Sequence, residues 1–160
     1  MELIKLNLFT EIDVQATTDN VDNFLKNKIP HLLLRCGRGL TDLSSPQLSL
    51  APAHSNGLNH QEDSIINALG IEPVVEAVHH TIYNCSSISQ IILLDIYIHN
   101  YSVERTLMDL PYERSQYFHK LKPKALLEFA DRYDYWQRAS GVDVPNIIDL
   151  HIPIKQKTYL

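Results

Sequence analysis

The sequence predicts a mainly α-helical protein: a helical N-terminal part, a C-terminal pair of short helices joined by a tight turn, and short extended segments at the termini. Three observations carry this. Apolar residues recur at three- and four-residue spacing through 21–33, 74–82 and 103–129, the mark of helices with one buried face. Ser, Thr and acidic residues precede those runs, where caps and first turns belong. Gly and Pro close them.

Taken in order, Met1 to Gln15 alternates apolar and polar residues without a cap and is expected to be an extended arm or short strand. Thr18 is the expected N-cap of the first helix, with Asp19 and Asp22 in its first turn, where the helix dipole favours acids. Val21, Phe24, Leu25, Ile29, Leu32 and Leu33 form the inner stripe. Pro30 is expected to kink or divide that helix, and Gly37 and Gly39 to end it. Leu40 to Asn59 holds Ser45-Pro46, Ala51-Pro52 and Asn56-Gly57 without periodicity. A run of that length reads as a linker.

Glu62 and Asp63 open a helix with Ile65, Ile66 and Leu69 inside, interrupted at Gly70. Pro73 fits the first turn of the next helix, whose stripe is Val74, Val75, Val78 and Ile82. His79-His80 lies on it without further ligands at metal spacing, so both histidines are expected at the surface or half-buried and no metal site is expected. Ser86 and Ser87 can cap the segment up to Ile98. Its run Ile91 to Leu94 is apolar on nearly all sides, and periodicity leaves helix and strand open there. Ser102 caps a short helix with Val103, Leu107 and Leu110 inside, ended by Pro111.

The next segment, from Glu113, has two faces. Phe118, Leu121, Ala125 and Phe129 are expected in the core. Ser115, His119 and Lys122 lie on another stripe, with Gln116, Lys120 and Lys124 beside it. From Arg114 to Lys124 there are four Lys or Arg and no acid. Two short helices across a tight turn, braced by an earlier helix, outline a DNA-binding helix-turn-helix. Lysines suit phosphates, while Gln, Ser and Arg can bond base edges. An ordinary solvated face accounts for the same spacing. The expected DNA-binding residues are Arg114, Ser115, Gln116, His119, Lys120, Lys122 and Lys124. Pro123 is expected to bend the helix just past them.

Beyond Gly141 the chain turns extended. Ile148, Leu150, Ile152 and Ile154 share one parity, as in a strand with one buried face. Such a strand needs a partner. It is expected to pair with the N-terminal arm or with its copy in a second subunit, the latter preferred; an extended tail lying on the helices is the alternative.

The net charge of −5 counts against DNA binding for the chain as a whole. The acids crowd outside 114–124, however, and local phosphates meet local lysines. No apolar run spans a membrane and the N-terminus lacks the marks of a signal peptide, so a cytoplasmic protein is expected. Cys36 and Cys85 have no paired spacing and are expected to be free thiols. No nucleotide-binding glycine loop, GxSxG, HExxH or zinc pattern is present. Neither enzymatic activity nor a cofactor is expected.

The run LPYERSQYFHKLKPKALLEFADRYD at 110–134 resembles the C-terminal motif of ArpU-type regulators, small phage and prophage proteins of late transcription related to the RinA group. The motif reads here as Tyr117-Phe118, Lys120-Leu121-Lys122, Ala125-Leu126 and Phe129-Ala130. The likeness extends less specifically to SPQLSLAP at Ser45 to Pro52 and HQEDSII at His60 to Ile66 and covers roughly residues 9 to 133. The resemblance implies a helix at Ile91 to Leu94 and a helix-turn-helix similar to region four of sigma factors. It also implies sequence-specific regulation of phage or prophage late genes, for packaging and lysis. Double-stranded DNA is the implied partner; RNA polymerase and a second copy of the chain are further candidates. A packaging adaptor, like a small terminase subunit using a helix-turn-helix within an oligomer, is the alternative. The expected organisation is an N-terminal arm and helix over 1–39, a linker over 40–59, a helical DNA-binding domain over 60–141 with its helix-turn-helix at about 87–133, and an extended segment over 142–160.

Overall fold

The computed structural model describes residues 11–48 and 70–155. Its described residues are helical apart from turns and a few extended stretches, with one isolated antiparallel bridge, Ile12 to Pro153. The fold is mainly α, as the periodicity predicts. The expected helix from Glu62 to Leu69, the arm over 1–10 and the linker over 49–59 lie outside the described residues.

The first helix, α1 (Val14–Asn23), starts five residues earlier than expected. Asp13 is its N-cap, and the Asp13 carboxylate accepts from the Ala16 N–H at 3.0 Å. Thr18 lies inside the helix, where its hydroxyl donates to the Gln15 carbonyl at 3.0 Å. A threonine can satisfy itself mid-helix in this way, so its presence does not fix a helix start. α1 runs through a π turn, Phe24–Lys28, into α2 (Ile29–Arg35). Pro30 does not end the helix. In the π turn the Ile29 N–H bonds the Phe24 carbonyl five residues back. The proline thus follows a stretch whose bonding has already left the α register. α2 ends in a Schellman motif: Gly37 has φ +68, the Arg38 N–H bonds the Leu33 carbonyl at 2.8 Å and the Gly37 N–H bonds Leu34 at 3.1 Å.

After a 3₁₀ turn, Leu40–Leu43, the chain lies against α3 (Ile71–Tyr83). Leu43 is fully buried, the Tyr83 hydroxyl donates to the Ser44 carbonyl at 2.7 Å, and His79 Nε2 meets the Ser45 carbonyl at 2.7 Å. The first residues of the expected linker are therefore seated on the core. His79 is only 3% exposed, more buried than the sequence suggested, while His80 stacks on Trp136 at 5.0 Å. With Nε2–H spent on Ser45, Nδ1 has no hydrogen-bond partner among the described residues.

Burial lowers the His79 pKa, although the Ser45 contact pulls it the other way. The folded protein therefore resists a proton that the unfolded chain accepts near 6.5. Stability is expected to be full above that value and to fall as the pH drops below it. Urea midpoints between about pH 7.5 and 5 should show this, and His79→Gln should remove that component.

α4 (Ser87–Leu93) continues through a second π turn, Leu94–Ile98. Ser86 is its N-cap, but the cap interactions come from afar: the Glu128 carboxylate accepts from the Ser86 N–H at 2.6 Å and from its hydroxyl at 2.8 Å. Asn100, at φ +54, turns the chain into α5 (Val103–Met108), where Ser102 accepts from the Arg105 N–H at 3.2 Å. After a turn at 109–113 come α6 (Arg114–Gln116), a third π turn, Tyr117–Leu121, and α7 (Lys122–Ala139), all in one helix. Pro123 follows this π turn as Pro30 follows the first.

The third π turn corrects the expected core stripe. Tyr117 is fully buried and Phe118 is 41% exposed. The wide turn adds a residue to the period, so the inward position falls one residue before the one that a 3.6 spacing marks. α7 is the centre of the molecule and packs against α1, α3 and α4. Phe129 and Tyr133 stack at 5.2 Å, and Phe24 of the first π turn meets both, at 6.2 and 5.4 Å. One apolar cluster runs from Val21 to Leu150. Cys36 and Cys85 are free and buried, and burial pushes the Cys85 thiol up to about 12.

The C-terminal segment lies along this chain's own α1 and α7. Gly141 closes α7 with a Schellman motif at φ +84. The fully buried Gln137 side chain donates to the Ile148 carbonyl at 2.8 Å and accepts from its N–H at 3.0 Å. The Asn20 amide donates to the Leu150 carbonyl at 2.9 Å, and the Asp13 N–H donates to the Ile152 carbonyl at 2.7 Å. Within this chain the segment thus lies on the helices, the alternative expected from sequence, with one bridge, Ile12 to Pro153, at the end of the N-terminal arm. Leu150 is buried, whereas Ile148 and Ile154 stay exposed. Side-chain amides meet this backbone where a neighbouring strand would, so a strict alternation is not imposed. His151 sits between Asp131 (2.7 Å) and Asp149 (2.5 Å). Burial lowers its pKa, but the two carboxylates outweigh that and raise it.

Candidate nucleic-acid interface

The residues predicted to touch DNA lie on the helix that begins at Arg114. Glu113 is its N-cap, and its N–H donates to the Gln116 side-chain oxygen at 3.3 Å. That reciprocal cap sets the helix start one residue beyond the turn that follows α5. Ser115, Gln116, His119, Lys120 and Lys124 are all exposed. The buried Tyr117 on one side and Ala125 and Leu126 on the other fix which face turns outward.

The structure divides the seven residues. Lys120 and Lys124 line a groove of about 630 Å³ with Ser86, Glu128 and Arg132. No ion pair among the described residues engages either lysine. Arg132 is engaged, by Glu128 at 3.1 Å. Hydrogen bonds from Ser89, Ser86 and Arg132 outweigh burial and keep the Glu128 carboxyl below its ordinary value. His119 and Lys122 turn the other way, into a groove shared with Gln15, Asp19 and Asp22 of α1. Lys122 is half-buried there, its Nζ 3.9 Å from Asp22. Asp22 also accepts from the Tyr97 hydroxyl at 2.5 Å.

Arg114 is held differently. Its Nη1 donates to Glu104 of α5 at 2.6 Å, and its guanidinium carbon stands 5.3 Å from the centre of the Phe118 ring. Arg105, which the sequence reading did not select, is exposed on α5 with its guanidinium over Tyr101 at 4.4 Å. The i, i+4 spacing of Tyr101 and Arg105 was the available signal. Arg132 was missed too, since it lies beyond the acid-free run. An acid-free run in sequence is therefore not an acid-free face: Glu104 and Asp22 reach it from α5 and α1. Among the described residues, Ser115, Gln116, Lys120 and Lys124 have no ion pair with an acid, although Glu128 and Asp131 line the same groove as the two lysines. Two amines and two hydrogen-bonding side chains can meet phosphates and base edges without a metal or cofactor.

Among known proteins, the chain is similar to a protein of Enterococcus hirae named "Putative autolysin regulatory protein ArpU". The two are 32% identical over 136 residues, covering 81% of this chain and 95% of that protein. No protein-family model and no solved structure matches the chain. An identity at that level along nearly the whole relative, added to the motif at 110–134, fixes the kinship: the chain belongs to the ArpU family.

Proposed function

We propose that the chain is a sequence-specific DNA-binding regulator of transcription, with no catalytic step and no cofactor, acting on phage or prophage late genes for packaging and lysis. In this reading α5, the turn at 109–113 and the helix from Arg114 form a helix-turn-helix like that of sigma region four, braced by α4. The observation that carries it is the exposed strip of Ser115, Gln116, Lys120 and Lys124, whose lysines pair with no acid among the described residues, at the start of a helix whose opposite side is core. The first turn meets base edges and the lysines meet phosphates. The name of the Enterococcus hirae relative, an autolysin regulatory protein, supports a regulatory role. The protein works in the cytoplasm, on double-stranded DNA, with RNA polymerase and a second copy of itself as further partners.

The test is a footprint on duplexes taken from upstream of the genes flanking this one. A protected site that survives excess unrelated duplex is expected. No retention of any duplex, even at low salt, overturns the reading. Gln116→Ala should relax base preference and cost ~1–3 kcal/mol at the position it reads, with non-specific binding unchanged.

A further inference from the structure

Arg114 is the first residue of its helix, and in a helix-turn-helix the first turn of the second helix meets the bases. Its guanidinium carries five N–H donors in a planar fork. A free arginine at such a place must freeze a long side chain before it can read anything. Arg114 is already held. Glu104, from the preceding helix, accepts from Nη1 at 2.6 Å, and the Phe118 ring lies one turn on, 5.3 Å from Cζ. The hydrogen bond from Arg114 also draws the Glu104 carboxyl below its ordinary value. Both side chains are more than half exposed, at 60% and 68%, so the pair adds little to the fold. An exposed acid on a surface that meets phosphates repels them. Its place is explained if it serves the arginine.

We propose that Glu104 is a positioning residue: together with the Phe118 ring it fixes Arg114 in one pose, with the remaining N–H groups left for a base edge, and so sets the sequence preference of the interface. This rests on the DNA-binding reading above, and it assigns a role to an acid that the reading alone counts as an obstacle. A plain electrostatic role predicts the opposite. If Arg114 only meets phosphate, Glu104 competes with DNA, and its removal tightens binding to every sequence alike.

The experiment measures Kd for a site selected from a random duplex pool and for an unrelated duplex, with the full chain. Wild type, Glu104→Ala, Phe118→Leu, Arg114→Ala and the Glu104→Ala/Arg114→Ala double variant are compared. Glu104→Ala is expected to lower the ratio of the two affinities about tenfold or more, Phe118→Leu to lower it less, and the double variant to match Arg114→Ala alone. Melting temperatures should stay within a degree or two of wild type, since the pair is exposed. An unchanged ratio in Glu104→Ala, with both affinities raised together, overturns the positioning role and leaves DNA binding intact. A wild-type chain that selects no sequence from the pool overturns the underlying reading, and the proposal with it.

Discussion

Phe129→Ala is expected to destabilise the protein by roughly 3–5 kcal/mol, the range for emptying a fully buried aromatic site. The ring is completely buried in the middle of α7 and stacks on Tyr133 at 5.2 Å. It also meets Phe24 at 6.2 Å, which ties α7 to the first π turn. Two elements therefore lose contacts at once, and the rigid neighbours cannot collapse into the space. A domain of ordinary stability holds only about 5–15 kcal/mol in total. The measurement is the urea midpoint at constant slope. A loss of less than about 1 kcal/mol would mean that the α1–α7 contact is not the centre of the core.

The second large effect belongs to the free amines. Lys120→Ala/Lys124→Ala should lower the salt dependence of DNA binding by about two units, one for each phosphate contact. At about 0.15 M salt that amounts to roughly 30-fold in affinity, taking a slope of about 0.9 per phosphate. The loss should be the same for specific and unrelated duplexes, because phosphates carry no sequence. Lys122→Ala is the internal control. Its amine faces Asp22 across the groove beside α1, so the slope should change far less. Equal effects from Lys122→Ala and the double variant would place the interface on the α1 side instead.

The fold was largely legible because its helices bury one face each. The stripe Val75, Val78 and Ile82, the cap at Ser102 and the break at Pro111 stand where the spacing put them. Ile91 to Leu94 needed more than spacing, since a segment buried on several sides loses its period. Asp13 rather than Thr18 caps α1, because a threonine can satisfy itself inside a helix. Phe118 and Tyr117 exchanged roles because a π turn leaves no trace in a 3.6-residue pattern. The limits of the candidate site have the same kind of cause. A run of lysines is visible in sequence, but which of them meets an acid depends on α1 and α5, 100 and 10 residues away for Lys122–Asp22 and Arg114–Glu104 respectively. Alternation in the C-terminal segment could not say what meets its backbone; in this chain, side-chain amides of Asn20 and Gln137 on the helices do.

The contact between Phe24 and the rings of α7 also sets a clock on synthesis. Phe24 leaves the ribosome on the order of a hundred residues ahead of Phe129 and Tyr133. At roughly 5–20 residues per second, the stripe of Val21, Phe24, Leu25 and Ile29 waits about 5–20 s for its cover. Through that interval the first helix is a greasy rod without a mate, open to chaperones and to its neighbours on the same message. The nascent chain is at its most vulnerable just before α7 emerges, because the rings that cover Phe24 arrive with that helix.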